Sequence, residues 1–401
     1  MDDLPRGERT SAPWPQTPNE RMATITPQAD RVDASGTTAT DREVGRPHRA
    51  GSQTSDPRMA LPFAHVPVGE AELPRGEHVS SRPSPFLNVP VGLFAPAIGL
   101  AALSLAWRLA HVRFAVPDWP STVLGGAAVL AFLAMCGAYA AKAWAAPNAI
   151  REEFASPVLG SLFATIPISL LLFPVVLAPV FPTVALVSWT IGTISMAAFA
   201  WLIVDRWMES RQHIAHATPA WIVPIVGVLD VPLAMPSLGL ESLHGVMVAG
   251  LAIGMFFAVP LFTLIFSRLL FEERLPEALQ PSLLILVGPF AVGTSAYVAT
   301  TGQIDLFAQA LYGVTLFLLA VLIGRLRYLG RCCPFRLTWW AVSFPLASAA
   351  SAALRVAIEY PGVLNDCVAV LLLLLSTVVI VWLGGRTLLG IARGELGRLA
   401  S

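Results

Sequence analysis

The sequence predicts an all-α integral membrane protein of ten spanning helices arranged as five helical hairpins. Three observations carry that prediction. The 401 residues are 55% hydrophobic and 13% charged, with a mean hydropathy of +0.66, whereas soluble domains carry about 25% charged residues. Ten apolar runs are each long enough to cross a bilayer. Interior prolines fall almost wholly in alternate runs.

A span needs about 20 predominantly apolar residues. The runs cover residues 90–111, 121–145, 158–180, 182–204, 219–240, 243–267, 281–301, 304–324, 337–358 and 363–385. At these lengths they are helices rather than barrel strands, because a helix satisfies its own backbone in lipid. Residues 88–392 therefore form one ten-helix transmembrane domain. Residues 1–87 hold ten arginines and twelve acidic residues among many Pro, Ser, Thr and Gly, without apolar periodicity. That composition predicts a disordered cytoplasmic tail, and residues 393–401 form a short cytoplasmic C-terminal tail. The N-terminal stretch has no basic start followed by an apolar core, so it does not read as a secretory signal peptide. Met22 and Met59 read as alternative initiators, on the hypothesis that the start is over-extended.

Basic residues choose the orientation. Beyond residue 87, thirteen follow even-numbered spans and three, Arg108, Arg113 and Arg355, fall on the other side. The positive-inside rule then puts both termini in the cytoplasm, in an inner (plasma) membrane of bacterial type. Overall, 26 basic and 26 acidic residues cancel. Charge therefore singles out no partner besides the lipid bilayer, and no nucleic acid is expected.

The prolines carry an internal repeat. Span one has Pro96, span three Pro167 and Pro174, span five Pro224 and Pro232, span seven Pro289 and span nine Pro345. Among even spans only the sixth has an interior proline, Pro260. The leading residues Pro96, Pro167, Pro224, Pro289 and Pro345 are 71, 57, 65 and 56 positions apart, close to a two-helix period. Proline removes a donor and kinks a helix. Broken helices are tolerated at membrane depth where protein buries them or where they line a wet cavity. Five kinked helices gathered inside five straighter ones make a central conduit; the bland alternative is that prolines are simply frequent in membrane helices.

Five stretches, "VGLFAPAIGLAALSLAW" (91–107), "SPVLGSLFATIPIS" (156–169), "WTIGT" (189–193), "GPFAVGTSAYV" (288–298) and "WWAVSFPLAS" (339–348), resemble the tellurite-resistance/dicarboxylate transporter family. That family takes in plant guard-cell slow anion channels, fungal malate permeases and the bacterial tellurite-resistance protein. The resemblance runs through about residues 88–390. It implies quasi-fivefold symmetry, odd helices around a pore blocked by an aromatic ring, and a homotrimer in bacterial members. The gating phenylalanine of the family motif falls on Phe344. Pro96 is displaced by one residue from the bacterial pattern, which redirects the first kink.

Phe344 lies about eight residues into span nine, about 12 Å deep at 1.5 Å per residue. Alone it reads as core packing; with the resemblance it reads as a gate that excludes water from a narrow apolar pore. Pro345 behind it permits a bend. The pore helices carry almost no interior Lys or Arg, so anion preference rests on half-helix N-termini after the kinks. Ser295, Thr294, Ser343 and Ser348 offer hydroxyl donors, or bond back to their own helices. Asp230, beside Pro232, is an intramembrane carboxylate and functional by default. Three readings of it stand: protonated by desolvation, paired with backbone donors at the kinks, or coupling proton to substrate. Arg355 lies eleven residues beyond Phe344, with Glu359 at the i,i+4 position. They read as an interfacial pair or as part of an anion-attracting mouth.

Other motifs carry less. The pair His213 and His216 has no third ligand nearby, so no metal is expected. Adjacent Cys332 and Cys333 form two loop thiols or a weak metal or redox signal. No Walker A or dinucleotide-binding glycine pattern occurs, no cofactor is expected, and no nucleophile–base constellation suggests an enzyme. The leading expectation is a channel or channel-like permease for small inorganic or organic anions. The alternative is a proton-coupled carrier or exporter of C4-dicarboxylates or related small acids.

Overall fold

The structure is a computed structural model. It describes residues 89–209, 211–332 and 335–394, the side chains of 325–332 excepted. The predicted tail over residues 1–87 and the side chains of Cys332 and Cys333 lie outside the described residues. Within them, every regular element is helical, and ten helical spans are long and apolar enough to cross a membrane. These are Val91–Phe114, Trp119–Ala145, Gly160–Leu177, Pro182–Glu209, Pro219–Leu238, Glu241–Phe271, Glu277–Thr301, Leu306–Gly324, Leu337–Glu359 and Val363–Ala392, called spans one to ten below.

Odd and even spans differ in construction. Each even span contains one long α-helix, from Trp119–Ala145 to Val363–Ala392, and Pro260 stands inside the one in span six. Each odd span opens with 3₁₀ turns and becomes α-helical part-way. Span one is 3₁₀ over Val91–Phe94 and α over Ala95–Phe114. Span three changes between Gly160–Ala164 and Thr165–Leu177, span seven between Glu277–Val287 and Gly288–Thr301, and span nine between Leu337–Val342 and Ser343–Glu359. Span five changes repeatedly before its last α-helix, Val231–Leu238.

Proline explains the change. It cannot donate to the carbonyl four residues back. In spans one, five and seven the residue before proline takes that carbonyl instead, three residues back, in a 3₁₀ bond. Ala95 N–H donates to Gly92, Val223 to Ala220, Val231 to Val228 and Gly288 to Ile285. Pro96, Pro167, Pro224, Pro232, Pro289 and Pro345 all stand within the first three residues of an α segment. A first-turn N–H has no intrahelical partner anyway. The prolines thus head the second half of each span rather than bend a continuous α-helix. In span five the residue heading the last α-helix is Pro232, not the leading Pro224 of the sequence reading. Later prolines leave orphan carbonyls that neighbours satisfy. Ser188 Oγ donates to Leu170, four residues before Pro174, at 2.8 Å, and Arg108 Nη1 donates to Val175, four before Pro179.

Contacts between the α segments close a ring. Span one packs on span three, three on five, five on seven, seven on nine, and nine on one. Each even span lies outside, against its hairpin partner and the next odd span. Burial follows: 67–78% of the most apolar stretch of each odd span is buried, against 17–33% in the even spans. Trp201, Phe256, Phe317 and Leu371 stand exposed on the even helices, as a surface solvated by lipid requires. Close approach depends on glycine. A Cβ on Gly99 would lie 2.2 Å from Ser343 Oγ, where spans one and nine meet. One on Gly254 would lie 2.4 Å from Leu229, so Gly250 and Gly254, four residues apart, let span six pack on span five of the same chain.

The ends are tied by charge. Where the odd spans begin, called the proximal end here, Lys142 donates to Val89 O at 2.7 Å and to Glu153 at 2.5 Å. Glu153 belongs to the short helix Pro147–Ala155, whose last carbonyls accept from Arg206. At the opposite, distal end Arg113 makes a two-bond pair with Asp366, at 2.9 and 2.8 Å. Between spans seven and eight, Asp305 accepts from Tyr297 and from the N–H groups of Phe307 and Ala308. The Tyr297 bond is the main cause holding the Asp305 carboxyl below the usual carboxylate range.

Candidate functional site

The ring borders two cavities, each lined by residues of all five odd spans. The proximal one, about 180 Å³, is lined by all five odd spans: Ile98 from span one, Thr165 from three, Asp230 from five, Gly288 from seven and Phe344 from nine, among others. The distal one is only about 10 Å³, and again every odd span contributes, through Ala102, Leu172, Leu233, Ser295 and Ser348 among others. Phe344 and Val292 line both. They are the two residues that the cavities share. A cavity of about 10–15 Å³ holds about one water, so the distal space admits about one small occupant.

Phe344 is the second residue of the α segment Ser343–Glu359 and is half-buried. Six 3₁₀ residues precede that segment, and at about 2.0 Å each they set it about 12 Å along the span. Pro289 and Pro345 border the proximal cavity, whereas Pro96, Pro167, Pro224 and Pro232 do not. Ala95, Thr165 and Gly288, the first residues of three α segments, reach its wall, their N–H groups donating within the preceding 3₁₀ turns.

Asp230 is 1% exposed and lines the proximal cavity. It sits at the N-cap of Val231–Leu238 yet makes no capping bond, and Oδ1 has no hydrogen-bond partner. Of the three readings of Asp230, pairing with backbone donors at the kinks is not made by Oδ1. Thr218 and Thr338 line the same cavity with buried hydroxyls that also lack partners.

The four hydroxyls divide. Ser343 donates to Trp340 O at 2.7 Å and Thr294 to Phe290 O at 2.8 Å, each bonding back to its own span. Ser295 and Ser348 line the distal cavity, joined by Ser351. Arg355 is half-buried with Nε unpartnered, and no ion pair joins it to Glu359, which is exposed. The i,i+4 pair fails because Arg before Glu is the poorer order and Glu359 lies at the solvated helix end. His213 and His216 meet edge to face, 5.8 Å apart, and among the described residues no group of three metal-ligating side chains gathers.

A family profile described as "Voltage-dependent anion channel" matches residues 88–388. The chain belongs to that family. The match to the voltage-dependent anion channel family covers nine spans in full and most of the tenth, so the ring and both cavities lie inside it. Among relatives, the chain is 26% identical over 305 residues to the S-type anion channel SLAH3 of Arabidopsis thaliana, covering 74% of this chain and 47% of the relative. It is 27% identical over 316 residues to SLAH2 of the same plant, covering 76% and 60%. With the tellurite resistance protein TehA homolog of Haemophilus influenzae it shares 29% over 344 residues, covering 84% of this chain and 98% of the relative. The chain thus spans about half the length of the first plant relative. Ten apolar helices and this membership make it an integral membrane protein of an anion-transport family.

Sequence reasoning missed Val292, Ser351, Thr218 and Thr338. Ser351 was within reach, since it stands two turns from Phe344 on the same helical stripe. Val292 carries no chemical signal; only packing brings it to the wall of both cavities.

Proposed function

We propose that the chain conducts small anions along the axis of the ring of odd spans, and that Phe344 is the gate. The observation supporting this reading is that Phe344 borders both cavities. An apolar constriction gates by dewetting, and helix N-termini on the proximal side favour negative charge ahead of it. Quasi-fivefold symmetry, a homotrimer and an inner-membrane location with both termini cytoplasmic complete the reading. So does a transport domain over 88–392 between tails 1–87 and 393–401. The thirteen-to-three distribution of basic residues supports the orientation. In planar bilayers Phe344→Ala is expected to raise anion conductance about tenfold or more, each 1.4 kcal/mol off a barrier being a factor of ten. Unchanged conductance from folded protein refutes the gate.

Asp230 favours a second reading, a proton-coupled carrier of C4-dicarboxylates or related small acids. A buried carboxylate at a substrate-sized cavity suits proton exchange, and its Oδ1 lacks a partner. In proteoliposomes, channel conduction predicts that Asp230→Asn leaves the pH dependence of anion flux unaltered. Coupling predicts that the substitution abolishes it.

A further inference from the structure

Beyond the gate lies a set of donors with nothing to donate to. Helix hydroxyls in this protein generally bond back to a carbonyl one turn earlier, as Ser169, Thr300, Thr315, Ser376 and Thr387 do. Ser295 and Ser351 do not. They are 3% and 2% exposed, their Oγ atoms have no partner, and both line the distal cavity with Ser348. Leaving a buried donor unsatisfied is costly, so hydroxyls free to turn inward offer their protons to whatever occupies that space.

Helical register adds a charge. Phe344, Ser348, Ser351 and Arg355 are spaced four, three and four apart, one stripe of the α segment Ser343–Glu359. Side chains on a helix lean toward its N-terminus, so Arg355 leans back over Ser351. Of the three basic residues the sequence assigns to the distal side, two are engaged. Arg108 holds the Val175 carbonyl and Arg113 holds Asp366. Arg355 keeps a buried Nε without a partner. No carboxylate is among the residues lining the distal cavity.

We propose that Ser295, Ser348, Ser351 and Arg355 form a distal anion subsite that receives a small, largely dehydrated monovalent anion once it has passed Phe344. The proposal rests on the reading of the chain as an anion conductor and deepens it. A cavity of about 10 Å³ matches one water-sized object, so the subsite takes a halide-sized ion and rejects a dicarboxylate. Hydroxyls replace part of the hydration shell, while Arg355, one turn farther out, supplies charge from the edge.

Two measurements on the full chain test it. In detergent, thermal unfolding is followed while sodium bromide replaces sodium gluconate at constant ionic strength. Bromide is expected to raise the midpoint of the wild type but not of the Ser295→Ala/Ser351→Ala double variant. Equal stabilisation of both overturns the subsite. In bilayers, on the Phe344→Ala background, Arg355→Gln is expected to raise the half-saturating chloride concentration about tenfold, the loss of one charge-assisted interaction. Arg355→Lys recovers most of it, and an unchanged half-saturation in Arg355→Gln likewise overturns the proposal. Should Phe344→Ala conduct nothing, the conduction reading fails, and the bromide titration decides the subsite alone.

Discussion

The two halves of the odd spans are built from the same five chain segments and have opposite character. The proximal half opens with 3₁₀ turns and, together with the first α turns, borders about 180 Å³ of space, with Asp230, Thr218 and Thr338 in its wall. The distal half is α-helix around about 10 Å³, with three serines and no carboxylate. Proline sits near the junction in every span. Before it, the chain adopts tighter turns of poorer hydrogen-bond geometry; after it, regular helices pack side by side. Where a helix may start in the membrane thus decides where the ring is wide and where it is closed.

The ion pairs at the two ends extend the contrast. Lys142 and Glu153 are 3% and 15% exposed, while Arg113 and Asp366 are 22% and 28% exposed. Glu153→Gln strands a buried ammonium and is expected to cost about 3–5 kcal/mol, read as a drop in the thermal midpoint of the solubilised protein. A loss no greater than that of a rim substitution would contradict the buried character of the proximal end. Next in size is the partition. Phe344→Ala joins the cavities and raises conductance about tenfold or more. Truncating Leu162, which lines only the proximal cavity, leaves conductance within about twofold because no barrier is removed. Similar effects from both substitutions would mean that the barrier is not at Phe344. The smallest effect belongs to Asp366→Asn at the distal rim, about 1 kcal/mol or less. A larger loss there would show that the distal end depends on that pair as heavily as the proximal end does on Lys142.

Much of this was legible in advance, for physical reasons. Lipid allows no unsatisfied backbone, so apolar runs announced ten helices. The prolines of the odd spans pointed to an inner ring, because only protected helices tolerate them. The kink itself was read too simply. A 3₁₀ bond from Ala95 to Gly92 or from Gly288 to Ile285 depends on the backbone after proline has been accommodated, and a residue pattern does not specify it. Among hydroxyls, Ser343 and Ser348 look alike in the sequence. One bonds to Trp340 and the other faces a cavity, because their positions around the helix differ relative to neighbours that the sequence leaves unplaced.

The sequence by itself determined the membrane character, the number of spans, the alternation of their construction and the family-scale resemblance. The first three follow from transfer energies and backbone rules that act locally along a chain; the resemblance rests on five matching stretches of sequence. Tertiary structure alone decided that spans one and nine close the ring, that Val292 and Phe344 line both cavities, and which donors remain unpaired. Those outcomes depend on which distant side chains arrive at the same point, and no local rule encodes that.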